Sequence, residues 1–535
     1  MECWNAKAVR TILWTRGFNV EPGEERRPCP SRHLDLSKRL LLGPVQGASM
    51  VISEDLFFLD PSFDGTLQKQ LQHIVAEGVL AGRFPVGAKL PSSRRLAQHL
   101  GVSRITVTLA YTELVANDYL ASRGRSGYFV SETAPRLPDF GDAPQREDRV
   151  DWSAHIARSH VRAARVARPE DWRSYPYPFI YGQTDKRLFD HANWRQCALM
   201  ALGQRDFNAL TEDYYDRDDA MLVEFIARHS LPRRGIRARP EEILVTLGAQ
   251  NALWIASRVL LGPGRRAVRE DPGYPQLRDI LGQSRAEVRT VPVDGRGLIP
   301  DAVPKGADVV FATPSHQCPT AATMPMERRR RLLERASAED FLVVEDDYEF
   351  EMSFLTPPTP ALKSLDQEGR VIYVGSFSKS LFPGLRLGYL VGSEPFIREA
   401  RALRALMLRH PPGHIQRTVA HFLSLGHYDA LIRRMSAAFQ QRRAVMEQAI
   451  AEHGLTVAGR DALGGSSLWM QAPGHVDTEA LALELRGEGV LIEPGAAFFD
   501  DAARPRNFYR LAYSSISRSA IPEGISRIAR AIGRG

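Results

Sequence analysis

The run Ser376-Phe377-Ser378-Lys379-Ser380, followed by Arg386, carries the most chemistry in the chain. A lysine amine can form a Schiff base with an aldehyde, and serine hydroxyls with an arginine can hold a phosphate on the same molecule. Standing alone, a lysine in a Ser-rich turn is more often a plain surface residue. Glu345-Asp346-Asp347-Tyr348 changes that reading, because it sets an acidic pair at the end of an apolar stretch, 33 residues before Lys379. A carboxylate at the C-terminal end of a strand can pair with a protonated pyridine nitrogen and make the ring an electron sink. Asp346 is assigned that role, and Tyr348 can donate to a phenolic oxygen of the ring. Leu247-Gly248-Ala249-Gln250-Asn251 adds a strand-to-helix glycine turn whose free backbone N–H groups, at Gly248, Ala249 and Gln250, suit a phosphate. In Asp271-Pro272-Gly273-Tyr274-Pro275 a turn presents Tyr274, which can stack on the face of a ring.

Each of these pieces needs a strand end to position it. From about Asp171 onward, apolar stretches alternate with amphipathic helical patterns. The strand candidates are Ile243–Thr246, Arg266–Arg269, Val309–Ala312, Leu342–Glu345, Val371–Val374 and Leu385–Val391. Such alternation predicts a mostly parallel sheet covered on both faces. Residues 171–535 therefore read as one large α/β domain.

A smaller module precedes it at residues 62–131. Leu67, Leu71, Ile74, Val75 and Val79 keep helical spacing. Pro91-Ser92-Ser93 starts a second helix with Leu96, Ala97 and Leu100 inward, and Gly101 stops it. Ser103 caps a third helix with Val107, Ala110, Leu114 and Val115 inward. Arg123-Gly124-Arg125-Ser126-Gly127 then turns the chain into the strand Tyr128-Phe129-Val130. Two helices joined by a tight turn, followed by a two-stranded wing, form a winged helix-turn-helix pattern, whose second helix enters a major groove. Ser103, Arg104, Ile105 and Thr106 would then face the DNA. Ser103 and Arg104 suit phosphates and Thr106 a base edge or thymine methyl, while Arg94, Arg123 and Arg125 suit the flanking backbone. The module holds eight Lys and Arg against four Asp and Glu, an excess of four out of the chain's net +7. Within residues 1–61 the stretch Glu21–Ser31 is charged and Pro-rich, no clean periodicity runs through the segment, and it is expected to be disordered. Residues 132–170, with Pro135, Pro138 and Pro144 and then Arg158, Arg162, Arg165 and Arg168, read as a linker.

Composition narrows the function classes. Hydrophobic residues are 44% and charged residues 25% of the 535, which excludes a fibrous or wholly disordered chain. No apolar run of about 18 residues predicts a membrane span, and no basic head with an apolar core predicts a secretory signal. Cys3, Cys29, Cys197 and Cys318 have neither disulfide-scaffold nor metal-ligand spacing. A cytoplasmic protein without a metal site is expected.

The run LPSSRRLAQHLGVSRITVTLAYTELVANDYLASRGRSGYFV resembles the winged helix-turn-helix of GntR-type bacterial repressors. The four motifs of the large domain, in their order, resemble fold-type-I, pyridoxal-phosphate-dependent proteins of the aspartate aminotransferase class. That resemblance implies pyridoxal 5'-phosphate held by Gly248, Ala249, Gln250, Tyr274, Asp346, Tyr348, Ser376, Ser378 and Arg386, with Lys379 as the Schiff-base lysine. By the same match, Arg510 in Phe508-Tyr509-Arg510-Leu511-Ala512-Tyr513 holds a ligand carboxylate. Two segments depart from the pattern. Cys318-Pro319-Thr320-Ala321 stands where many relatives have Asn-Pro-Thr-Gly, and Asp213-Tyr214-Tyr215-Asp216-Arg217 where they have Gly-Tyr-Gly-Asp-Pro.

The fused architecture is similar to MocR/GabR-type transcriptional regulators. It implies a ligand-responsive DNA-binding homodimer, arranged head to tail, that senses an amino compound by external aldimine formation and controls a catabolic operon. The segments PFIYGQTD, DYYDRDD and LRHPPGHIQ resemble the branch that regulates ectoine or taurine catabolism. Two other readings stay open: a genuine aminotransferase with an appended DNA-binding domain, and a regulator whose large domain serves only as a dimerisation scaffold.

Overall fold

The computed structural model describes residues 50–135, 150–157, 168–213, 216–355, 359–459, 464–500 and 504–534. The expected extension up to residue 49, most of the expected linker, and Tyr214-Tyr215 lie outside the described residues. The chain divides into two compact units between His155 and Ile156.

In the first unit, side-chain caps set the helices. The Thr66 hydroxyl accepts the Lys69 N–H at the start of α1 (Leu67–Leu80). Ser92 accepts from Arg95 at the start of α2 (Ser93–Leu100), and Gly101 closes α2 in the left-handed region at φ +64, where glycine carries no steric cost. Ser103 accepts from Ile105 at the start of α3 (Arg104–Ala116). An eight-residue helix is marginal in isolation, so α2 is held by packing: Leu96 and Ala97 join Leu71, Val75, Val107, Ala110, Tyr111 and Leu114 in one core. β1 (Leu120–Ser122) and β2 (Tyr128–Val130) pair antiparallel as the wing.

Two expectations change here. Residues 50–61 were assigned to a disordered extension, yet Ile52 and Phe57 are buried in this same core. The Ile52 N–H donates to the Lys89 carbonyl at 2.8 Å. The segment packs through an isolated bridge and a single 3-10 turn, which leaves no periodicity to read. It adds Glu54, Asp55 and Asp60 and no basic residue, so the module's excess of four falls to one. Leu67, which keeps helical spacing with the apolar residues of α1, is nonetheless 47% exposed because α1 begins at it.

The second unit is built on an eight-stranded sheet. Its strands in chain order are β3 (Ile243–Thr246), β4 (Arg266–Asp271), β5 (Glu287–Asp294), β6 (Gly297–Leu298), β7 (Val309–Ala312), β8 (Leu342–Asp346), β9 (Val371–Ser376) and β10 (Gly388–Val391). They lie in the spatial order β3-β10-β9-β8-β7-β4-β5-β6. The block from β9 to β5 is parallel. β10 runs against both of its neighbours, and β6 runs against β5. Alternate residues face opposite cores: Val343 and Val371 pack with Leu332 and Ala336 on one face, Val344 and Ile372 with Leu253 and Ala256 on the other. Burial on both faces is why these strands read as unbroken apolar runs.

The strand expected at Leu385–Val391 begins only at Gly388. Pro383–Leu385 form a 3-10 turn and Arg386 takes φ +53, outside strand geometry. β5 was not foreseen, since its charged residues alternate with half-buried ones along an exposed strand. A second, four-stranded antiparallel sheet near the C-terminus carries Ser467–Gln471, Phe508–Ala512 and Glu493–Pro494. Among the described residues no helix is long and apolar enough to cross a membrane, and no group of three or more His, Cys, Asp or Glu could hold a metal.

Candidate functional site

The sheet brings its chemistry to the C-terminal ends of the parallel strands. β8 ends at Asp346, which is in register with Val374 of β9, and β9 runs out through Ser376 into Ser378 and Lys379. Gly388 on β10 pairs with Thr246 at the end of β3, which brings the Gly248 turn beside Ser378 and Arg386. A Cβ on Gly388 would meet the Gly248 Cα at 2.9 Å, so this close approach requires glycine. Gly248 takes φ +85 and starts the helix Ala249–Leu260, leaving the first N–H groups of that helix free.

These ends open into a cavity of about 570 Å³. Ala249, Gln250, Tyr274, Asp346, Tyr348, Ser376, Ser378, Lys379, Arg386 and Arg510 all line it. Gly248, also expected to bind there, shapes the turn without lining the cavity.

The two acidic neighbours do different work. Asp347 is buried and accepts from Arg234 Nε at 2.7 Å and from the Tyr373 hydroxyl at 2.8 Å. Both bonds fall on Oδ2 and tie the end of β8 to β9, while Oδ1 is buried without a partner; Asp347 does not line the cavity. Asp346 faces the cavity with Oδ1 buried and unpartnered. Burial, with the Asp347 and Glu270 carboxylates close by, pushes its pKa up to about 8. A buried carboxyl of this kind is stabilised as an anion by an incoming cation. The Ser378 hydroxyl is likewise buried without a partner.

The Lys379 ammonium stands 4.0 Å from the centre of the Tyr181 ring. Burial lowers its pKa to about 8, helped by the Arg510 charge and opposed by Glu349 and Glu493. Roughly a tenth of the amine is then neutral and nucleophilic at pH 7, against less than about a thousandth for an ordinary lysine. Arg510 also stands over the Tyr181 ring, at 3.9 Å, and over Phe498 at 4.8 Å. Its Nε donates to Glu493 Oε2 at 2.7 Å. The Tyr181 hydroxyl donates to Glu349 Oε2 at 3.1 Å, which fixes the ring between its two cations and the buried acid. Cys318, in the place of the asparagine of many relatives, lines the cavity, and burial pushes its thiol up to about 12. A neutral thiol is a weak donor, so it supplies little of the hydrogen bonding an amide would.

Sequence reasoning missed Tyr181, Glu493, Phe498 and Arg168 as lining residues. Tyr181 sits in PFIYGQTD, which stood out by its resemblance to a regulator branch without indicating a contact. Arg168 lies in the segment taken for linker. Glu493 has no local signal, because it arrives through cross-strand register with Arg510.

On the first unit, Arg94, Ser103, Arg104, Arg123 and Arg125 are exposed. Arg104 Nε donates to Ser93 Oγ at 3.4 Å, which places it at the N-terminal ends of both α3 and α2, where anions are favoured. Thr106 is half-buried, whereas Ile105 beside it is 68% exposed. Arg123 lies 4.8 Å over the Phe129 ring and 3.5 Å from Glu132.

Comparison with known proteins adds to this geometry. Residues 67–130 match the model of bacterial regulatory proteins of the gntR family, and residues 198–528 that of aminotransferase class I and II. The chain is 61% identical to the HTH-type transcriptional regulator TauR of Rhodobacter capsulatus, over 90% of this chain and all of that one. It is 30% identical to the probable rhizopine catabolism regulatory protein MocR of Rhizobium meliloti, over 88% of this chain and 95% of that one. Among solved structures, it is similar to LysN, the α-aminoadipate aminotransferase of Thermus thermophilus, complexed with N-(5'-phosphopyridoxyl)-L-leucine. The TM-score is 0.63 at 27% identity, covering 72% of this chain and 99% of that one.

Proposed function

Because the chain belongs to the MocR/GabR-type transcriptional regulators, which join a gntR-family DNA-binding module to an aminotransferase class I and II domain, we propose that it is a pyridoxal-phosphate-dependent regulator. In this reading it works as a homodimer, binds operator DNA and answers to a small amino acid. The observation that carries the reading is the cavity in which Lys379, Asp346 and Arg510 meet.

The residues present fit the cofactor. The orphaned Asp346 Oδ1 asks for a cation, which a protonated pyridine nitrogen supplies. The unpartnered Ser378 hydroxyl, Ser376, Arg386 and the helix start at Gly248, Ala249 and Gln250 make a phosphate cradle. Tyr274 and Tyr348 are on the cavity wall, where Tyr274 would stack on the ring and Tyr348 would donate to its phenolic oxygen. When bound, the cofactor supplies an aldehyde for which Lys379 and a ligand's primary amine compete. Arg510 binds the ligand's acid group through N–H donors left after its bond to Glu493. Lys379 and Arg510 both stand about one ring contact from Tyr181, so a short ligand can reach both. The resemblance to TauR favours taurine over ectoine-derived diaminobutyrate as the effector. The same domain in LysN is an enzyme's; here the gntR-family module favours regulation.

The reading is tested by measuring DNA affinity and the visible band of the cofactor-loaded protein, with and without taurine. Both should change together. A band shift with sustained release of aldehyde when a 2-oxo acid is added to accept the amino group, and no effect on DNA binding, would make the chain an aminotransferase instead.

Asp346→Asn should weaken cofactor binding by on the order of tenfold, because a charge-assisted bond becomes a neutral one, and should move the visible band. Equilibrium dialysis and absorbance check this; unchanged values would mean that Asp346 makes no such pair.

Arg104→Ala should weaken binding to every DNA sequence and lower the slope of log affinity against log salt by about one unit. Anisotropy titrations at several salt concentrations read both quantities. An unchanged slope would remove Arg104 from the phosphate contacts.

A further inference from the structure

Glu493 faces Arg510 directly across two antiparallel strands. The bond between them is 2.7 Å, and their side chains are only 12% and 8% exposed. Both line the cavity that also holds Lys379. The guanidinium cannot swing away from its partner, since Tyr181 and Phe498 stack on it at 3.9 and 4.8 Å. One of its five N–H donors is taken, and four remain for a ligand.

The arginine that receives an acid group is therefore permanently accompanied by a carboxylate. The pair is neutral as a unit. One acid group on a ligand is matched by the remaining N–H donors, whereas a second in the same cavity meets the Glu493 charge with little water between them. Like charges in a poorly solvated site disfavour binding strongly, and repulsion of this kind is how a site rejects near relatives of its ligand. Merely steadying the guanidinium would not need a charge in the cavity wall, since a backbone carbonyl can accept from Nε equally well.

We propose that Glu493 is a specificity-determining residue that restricts the effector to amino acids with one acid group, carboxylate or sulfonate, and excludes those with two. The proposal rests on the effector reading above.

Two matched pairs of probes isolate the charge. L-aspartate is β-alanine with one added carboxylate, and L-cysteate is taurine with the same addition. Calorimetry and the visible band of the cofactor-loaded, full-length protein give the affinity ratio within each pair. In the unaltered protein the single-acid member should bind at least tenfold more tightly in any pair that binds. Glu493→Gln keeps the size and an acceptor for Arg510 but removes the charge, and it should shrink that ratio by tenfold or more. Glu493→Asp keeps the charge and should preserve the ratio, which separates repulsion from a general disturbance of the site. Equal affinity for both members of a pair in the unaltered protein overturns the proposal, as does a ratio that Glu493→Gln leaves intact. If none of the four probes binds or moves the band, the effector reading itself fails and takes this proposal with it.

Discussion

Treated with borohydride, the Lys379→Ala protein is expected to yield no cofactor-bearing peptide, whereas the unaltered protein yields one centred on residue 379. The effect should be complete, because among the described residues Lys379 is the lysine that lines this cavity. Lys379 lines the cavity with Asp346 and Ser378, and burial has already brought its pKa to about 8. The nucleophile is the deprotonated amine, so covalent loading of cofactor-free protein should speed up as pH rises through about 8 and level off above it. An ordinary lysine would go on gaining reactivity to about pH 10.4. Lys379→Ala should still bind DNA, since the reading residues belong to the other unit, but its DNA affinity should no longer answer to taurine. Mass spectrometry of the reduced, digested protein decides the point. An adduct on another lysine in the variant would show that the cofactor is attached elsewhere.

Most of the site residues that sequence reasoning reached lie in short local runs, whereas Arg510, in the middle of the strand Phe508–Ala512, was reached through resemblance. Asp346, Ser376, Ser378 and Lys379 lie at or just past strand ends, and Gly248, Ala249 and Gln250 lie where a strand turns into a helix. Their chemistry is compressed into short runs that can be read without knowing the sheet order. Tyr181 and Glu493 belong to the same cavity by a different route. Tyr181 reaches Lys379 and Arg510 from some two hundred and three hundred residues away in the chain, and Glu493 depends on a strand only two residues long. Neither kind of placement leaves a periodicity or a motif.

The fold divides in the same manner. Strands buried on both faces, such as Val309–Ala312 and Ile243–Thr246, are plain apolar runs with the observed bounds. The half-exposed β5 and the packed segment around Ile52 and Phe57 are not, because their burial is decided by neighbours distant in sequence. The charge of the DNA-binding unit shows the cost of that gap. Its basic excess was counted without Glu54, which pairs with Arg95 at 2.5 Å. What remains favourable to DNA is the location of Arg94, Arg104, Arg123 and Arg125, not the total.

Arg510→Ala should remove the ligand response while leaving DNA binding and cofactor attachment in place. A buried arginine holding an acid group contributes ~3 kcal/mol to binding, so the affinity for taurine should fall by a hundredfold or more. The single substitution has a second consequence that must be separated from the first. It strands Glu493 in a nearly buried position without its partner, and breaking such a pair destabilises a protein by about 3–5 kcal/mol. A lost response could then reflect a loosened domain. Pairing Arg510→Ala with Glu493→Gln removes the uncompensated charge, so the double variant should recover much of the lost stability in denaturant unfolding. It should not recover the response, because a ligand shifts an equilibrium between two states only through contacts that differ between them, and the acid-holding contact is gone in both variants. The informative quantities are therefore the unfolding midpoint and the change in DNA affinity on adding taurine, measured on the unaltered protein, the single variant and the double variant. Stability restored with the response still absent assigns Arg510 to ligand recognition. A response that returns with stability would reduce Arg510 to a structural partner of Glu493 and move the acid-binding contact to another residue of the cavity, of which Arg386 and Arg168 are the remaining arginines.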